Sequence, residues 1–402
     1  MKYEKHMKWI FYSLKDNPKN ATPSNNLNVT LSKIFIHSFL KVNAIYVLQF
    51  LSFFRSRNLI NSYIILGSQA PHHHMNAFRF LNLNPNQATL INAFNKTSIT
   101  SVKFIGLISL YKEFIKNFSQ AVKYILHDNT YFSSEELVKN LASSIPSFTY
   151  LSLLFKNIKS SHPNINVYSG GADLASMAAI KGSLETHYLS HGLLGASATA
   201  DGNLENLIEV DVSHKTYPEY SSIYVYSEHE KNVLQSNFKE TIIHSYKFPL
   251  IRERSRKAIL FLETTEGFFD EERFLKIIKF FTKNNIVVMG KEHPANESQF
   301  PVTFCKENDI VMIPGDGGTA YEIIVDQSPM FTIGWPSTSL CESLNMGIIP
   351  ICIPSSHPFF QFKSFYPFQS KTLSWSKDLV KIEQAILDNE YYDLSLKELQ
   401  KN

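Results

Sequence analysis

The sequence predicts two parallel α/β domains in tandem, facing a cleft and preceded by a helical extension. Three observations predict this. Short apolar runs such as Ser62–Leu66, Ala258–Leu262 and Met330–Ile333 alternate with helix-length segments, and that alternation argues parallel sheets with buried strands. A stretch holding Pro249 and a run of charge, Phe248–Arg256, separates two such series and reads as a linker. A length of 402 residues suits two to three domains of ordinary size.

Taken in order, Lys15–Asn28 is polar and Asn-rich and reads as loop. Leu31–Phe54 reads as a helix, and residues 1–60 as an N-terminal extension. The strand Ser62–Leu66 runs through a small-residue turn into a helix at Asn76–Leu81. Thr89–Ile91, the apolar segment Val102–Leu110 and a helical region to about Leu126 follow. Val138–Lys159 reads as helical with a break near Pro146, since proline removes a helix hydrogen bond. Ile165–Tyr168, Thr186–Leu189 and Ser222–Tyr226 are the next strands, two of them leading into helices that end near Ile180 and Phe238. The first domain spans residues 61–250. The second, 251–402, opens on Ala258–Leu262. It continues with helix Asp270–Lys283, strands Ile286–Met289 and Ile310–Ile313, helix Thr319–Val325, and strands Met330–Ile333 and Ile348–Ile353. A helix at Lys377–Asp388 is read as its end.

Composition narrows the function classes. Hydrophobic residues make up 44% and charged residues 19%, which is globular. A formal net charge of +3 supplies no broad field for gripping nucleic acid. The three cysteines, Cys305, Cys341 and Cys352, match no zinc spacing and read as small buried hydrophobes in a reducing compartment. The N-terminus lacks the pattern of a signal peptide. No uninterrupted apolar run reaches the roughly 18 residues of a spanning helix. The nearest, Val42–Phe54, is flanked by Lys41, Arg55 and Arg57, so it permits either a helix lying on an anionic membrane or one packed on its own domain. The expected location is cytoplasmic, with peripheral attachment to the inner face of a bacterial membrane left open.

The stretch Gly290–Ser343 carries the chemistry. Lys291, His293 and Pro294 follow one apolar run, and Ser337, Thr338 and Ser339 follow another. In open parallel sheets ligands bind beyond the carboxyl ends of the strands. A lysine there supplies a point charge and a histidine a directed N–H for a phosphate. Hydroxyls before a helix sit where free backbone N–H groups favour an anion, although each alone could be an N-cap. Glu322, on the helix after a Gly-rich loop, could accept from a ribose diol or be a surface charge. On the other domain, His191 after Tyr188-Leu189-Ser190 is a competent general base. Asp173, Glu185 and Asp201 are weaker candidates, Asp173 also reading as an N-cap. His72, His73 and His74 could touch an acceptor or form an exposed loop. No metal site and no cofactor are expected.

The order Lys-x-His-Pro, then Ile-Pro-Gly…Glu, then Ser-Thr-Ser-Leu before a helix resembles the bacterial sialyltransferases of GT-B fold. The resemblance covers about 50 residues strongly. It implies two Rossmann-like parallel α/β domains and a CMP-sugar donor on the second. It places Lys291 and His293 at the CMP moiety, Glu322 at the ribose, and Thr338 with Ser339 at the phosphate. That family's base is an Asp-Asp-Gly carboxylate, absent here; His191-Gly192 stands in a comparable place, as in the His-Gly of CDP-glycerol phosphotransferases.

The expectation is an inverting, metal-independent glycosyltransferase. It would move a sialic-acid-type (nonulosonic acid) residue or Kdo from CMP to a cell-surface glycan or glycolipid such as lipopolysaccharide or capsule, without contact to nucleic acid. The rivals are a CDP-polyol phosphotransferase, a GT-B-fold UDP-sugar 2-epimerase, and a non-catalytic glycan-binding subunit.

Overall fold

The computed structural model describes residues 27–53, 61–67, 78–92, 105–127, 135–170, 174–190, 219–237, 240–262, 271–293, 300–335, 337–353 and 371–401. They build two sheets of six strands each. Two compact units divide the chain, the second taking Val225–Val233 and everything from Ser245 onward.

The first sheet consists of β1 (Tyr63–Gly67), β2 (Ala88–Asn92), β3 (Asn166–Ser169), β4 (Glu185–Leu189), β5 (Ser222–Val225) and β6 (Ile242–Ser245), in the order β2-β1-β3-β4-β5-β6. The pairs from β2 through β5 run parallel. The helices are α1 (Leu27–Phe53), α2 (Leu107–His127), α3 (Glu135–Ser161), α4 (Leu174–Lys181) and α5 (Glu228–Asn237). Ile64, Leu66 and Val167 from the sheet meet Phe114 of α2 and Phe148 and Phe155 of α3 in one core. Ile34 and Val42 of α1 belong to that same core, so the N-terminal helix is an integral part of the unit.

Two sequence expectations change here. The break near Pro146 is absent: α3 runs from Glu135 to Ser161 with the proline inside. A proline costs the helix one amide bond. Its neighbours Ile145 and Phe148 are at most 1% exposed, and their burial holds the flanking turns in place. The helical region expected after Val102–Leu110 begins earlier, at Leu107.

The second sheet consists of β7 (Ser255–Leu262), β8 (Val287–Glu292), β9 (Val311–Ile313), β10 (Pro329–Gly334), β11 (Ile349–Cys352) and β12 (Leu373–Ser374). All its pairs are parallel, in the order β12-β11-β10-β7-β8-β9. Strands build outward from β7 to β9, then return to the other side of β7 for β10 to β12. Helices α6 (Glu271–Lys283), α7 (Phe300–Glu307), α8 (Ala320–Gln327), α9 (Thr338–Asn345), α10 (Leu379–Leu387) and α11 (Asn389–Lys401) complete the unit. Every residue of β10 is buried, as a strand covered on both faces requires. Leu260, Phe274, Phe281, Phe331, Ile351 and Tyr392 share the core.

The fold does not end at the helix before Asp388. Helix α11 follows and inserts Tyr392 into the core, where its hydroxyl donates to the Met330 carbonyl and accepts from Ile349 N at 2.9 Å. Its signal was in the sequence: Tyr392, Leu396 and Leu399 recur at helical spacing and are buried. The stretch read as a linker is tied in as well. Arg254 lies 4.1 Å over the Tyr392 ring and pairs with Asp393 at 2.7 Å.

Candidate functional site

The second sheet reverses its strand order between β7 and β10. In doubly wound sheets that reversal opens a crevice at the carboxyl ends of the strands. Here an open recess with a cavity of about 70 Å³ lies there, lined by Phe261 and Leu262 from β7, Lys291 and Glu292 from β8 with His293 just after it, and Trp335, Ser337 and Ser339 beyond β10. Ala320, the first residue of α8, also lines it. The starts of two helices, α8 and α9, therefore meet the same hollow, and helix starts offer unsatisfied N–H groups.

Close approach shapes the β8 side. A Cβ on Gly290 would come within 2.8 Å of Cys305 Sγ and 3.1 Å of Leu262 Cδ1. Only glycine lets β8 lie so near α7 and β7. The next residue, Lys291, is 3% exposed. Its ammonium donates to the carbonyls of Glu292 at 2.8 Å, Pro314 at 2.6 Å and Gly315 at 3.1 Å. Burial pushes its pKa down, partly offset by the charges of Glu292 and Asp316.

Lys291 lines the recess and also has a structural task. An ammonium that is nearly buried must find acceptors at short range, and the backbone of the loop after β9 supplies them. Glu292 completes the grip, accepting from Gly315 N at 2.9 Å. The two side chains thus hold one peptide segment by its carbonyls and its amide together. Sequence reasoning missed Glu292, because nothing local signals that a loop 23 residues downstream returns to it.

Glu322 also has a structural task that was not expected. Its Oε2 accepts from Thr319 N at 2.8 Å and from Thr319 Oγ1 at 2.9 Å, while Thr319 Oγ1 accepts from Glu322 N. This is a capping box at the start of α8. The Thr319-x-x-Glu322 spacing was the legible signal for it. Gly318 precedes it at φ +110, where other residues are strained.

The other motif residues stand at the recess. His293 is exposed and lines it. Ser337 occupies the N-cap position of α9 yet makes no cap hydrogen bond with its side chain. Ser337 and Ser339 both line the hollow, and Thr338 opens the helix. The three cysteines are buried free thiols, with burial raising Cys305 to about 11 and Cys352 to about 12.

His72–His74, Asp173, His191, Asp201 and Pro294 lie outside the described residues. Glu185 is described. It begins β4, at the edge opposite the carboxyl ends of the strands, and its carboxylate stands 3.9 Å from His187 Nε2. Among the described residues no group of three or more His, Cys, Asp or Glu could hold a metal ion.

No family model matches the chain, and no curated protein matches it. Solved structures similar to it include Phytolacca americana UGT2 complexed with UDP-2-fluoro-glucose and pterostilbene, at 8% identity over 84% of this chain and 93% of that one, with a TM-score of 0.45. Os79 from O. sativa in complex with UDP is 10% identical over 84% and 94%, with a TM-score of 0.43. S. aureus MnaA with UDP is 7% identical over 84% and 90%, with a TM-score of 0.44. At this distance the fold rests on the chain's own two sheets and their strand orders. Two parallel α/β units in tandem match the domain content of the GT-B fold.

Proposed function

We propose that the protein is a glycosyltransferase that takes a CMP-activated acid sugar, a nonulosonic acid or Kdo, and transfers it with inversion to a surface-glycan acceptor at the cytoplasmic side of a bacterial membrane. The observation that carries this reading is the recess at the β7/β10 reversal, where His293, Ser337, Ser339 and the start of α9 stand together. Hydrogen-bond donors and a helix start of this kind can bind an anion without a metal. The order of the motifs along the chain favours CMP as the carrier.

In the proposed reaction the bond between the anomeric carbon and the donor phosphate breaks, and one to the acceptor oxygen forms. His191 takes the acceptor proton, with Asp173 as the alternative base. Charge accumulates on the departing phosphate of CMP, where His293, Ser337, Thr338 and Ser339 stabilise it. Lys291 and Glu292 act one step back, by fixing the Pro314–Gly315 segment beside the recess. Glu322 reaches the ribose only by sharing its carboxylate with the α8 cap.

Thermal unfolding with CMP, CDP and UDP in parallel tests the carrier. A ligand at about a hundred times its Kd adds about 2.7 kcal/mol to the native state. Selective stabilisation by CMP is expected. Stabilisation by UDP alone points to a UDP-sugar enzyme such as a 2-epimerase, selective CDP to the polyol phosphotransferase, and no response to any of the three removes the enzymatic reading.

A further inference from the structure

Helix α1 buries one narrow stripe and exposes much of the rest. Ile34, Ser38 and Val42, spaced four apart, are at most 1% exposed and lie on the side packed against α3. Adjacent on the helix, Phe35 meets Phe118 of α2 edge-on at 5.1 Å, and Phe39 stacks on Tyr111 at 5.4 Å. Farther round, Ile36, Leu40 and Val47 are 56%, 60% and 53% exposed. On α2, Ile108 and Ile115 are 73% and 60% exposed, and the helical period sets them beside Tyr111 and Phe118. Two helices in contact therefore present one apolar strip.

Lysines edge this strip. Lys33 lies beyond Ile36 and Leu40 on α1, and Lys112, Lys116 and Lys123 lie beyond Ile108 and Ile115 on α2, all exposed. Acid is missing from both helices on this side. Helix α1 contains no Asp or Glu. The one acid of α2, Glu113, pairs with Lys181 at 2.5 Å.

By length and composition the window Leu31–Gln49 could cross a membrane, a longer and earlier apolar window than the Val42–Phe54 run legible in the sequence. Crossing would strip Ile34 and Val42 from the core they share with β1 and α3, and would uncover the buried Ser38. A helix lying in the plane of the interface keeps that core and still covers the strip.

We propose that α1 and α2 form a docking surface for an anionic lipid bilayer. The isoleucines and Leu40 enter the boundary between headgroups and acyl chains. The lysine stems follow them, with the ammonium groups at the lipid phosphates. Charge complementarity names this occupant, because a second copy of the same surface would set lysine rim against lysine rim. The surface is independent of which nucleotide the recess holds.

Flotation of the full chain with phosphatidylcholine vesicles, with and without phosphatidylglycerol, tests it. The protein should float only with the anionic vesicles and leave them at high salt. Lys112→Gln and Lys116→Gln should each weaken partition about fivefold. Ile36→Asp with Leu40→Asp should abolish it with the melting temperature unchanged, since both side chains are already exposed. Equal binding to both vesicles, no binding, or binding that survives alkaline carbonate each overturns the proposal. So does a dimer in sedimentation that Ile36→Asp with Leu40→Asp dissociates while vesicles leave it intact. Vesicle binding that appears only after residues 1–26 are removed assigns the strip to that segment instead.

Discussion

The ammonium of Lys291 donates to the carbonyl oxygen of Pro314 at 2.6 Å, across 23 residues of sequence. With Gly315 held by the same lysine and by Glu292, the end of β8 and the loop after β9 behave as one piece. Lys291→Met leaves the carbonyls of Pro314 and Gly315 without this donor. A lost charge-assisted bond and the acceptors it strands cost about 2–4 kcal/mol together. Urea unfolding should show that loss, and faster exchange of the Gly315 amide should accompany it. An unchanged midpoint would mean that the ammonium is dispensable to the loop.

Gly290 leaves no room for a side chain. Gly290→Ala sets a methyl 2.8 Å from Cys305 Sγ, and overpacking of this kind costs about 1–3 kcal/mol. Cys305→Ala removes the opposing sulfur. The double variant should recover part of the loss, so the two changes should be clearly non-additive in chemical denaturation.

Glu322 separates capping from ligand contact. Glu322→Gln keeps an acceptor for Thr319 and should hold the stability of α8. Glu322→Ala removes it and should cost about 1 kcal/mol. Paired thermal melts of the two variants decide whether the capping box contributes as its geometry indicates.

His293 and Ser337 border the recess. His293 is exposed, and Ser337 makes no side-chain cap bond. In the proposed reaction His293→Ala should lower turnover on the order of 10²-fold with the melting temperature unchanged. Ser337→Ala should weaken nucleotide binding at equal stability. Measuring released CMP alongside the melts tests both, and normal turnover by a folded His293→Ala protein removes His293 from the mechanism.

Burial raises the Cys305 thiol from 9.0 to about 11 and the Cys352 thiol from 9.0 to about 12. Between those values the folded chain keeps protons that the unfolded chain has released. Their contribution is fully present below the ordinary thiol pKa and is lost as pH rises from there through the folded values. Unfolding midpoints should therefore fall on the alkaline side, and Cys352→Ala should flatten the slope. Neither thiol should react with iodoacetamide at neutral pH until the chain unfolds.

Much of the architecture was legible because its strands speak locally. Met330–Ile333 is apolar except at Thr332, and β10 is buried at every position. Strand β6 was silent: its burial alternates, but exposed Ile242 stands beside buried Ile243, so the letters of this four-residue edge strand do not show it. Proline argued for a break in α3 because the pull of the core on Ile145 and Phe148 is not a local property. At the recess, the sequence placed Ser337 and Ser339 beside a helix start through position alone. It did not show the carbonyl partners of Lys291, which arrive through the pairing of β8 with β9.

The reversal at β7 and β10 has one more consequence. The hollow exists because two series of connections diverge from neighbouring strands, so connectivity, rather than any side chain, creates it. Substitution can erode almost every identity along the rim while the cavity and its backbone N–H groups persist. A backbone with this path can therefore carry different rim residues, and so meet different ligands, without rebuilding its scaffold.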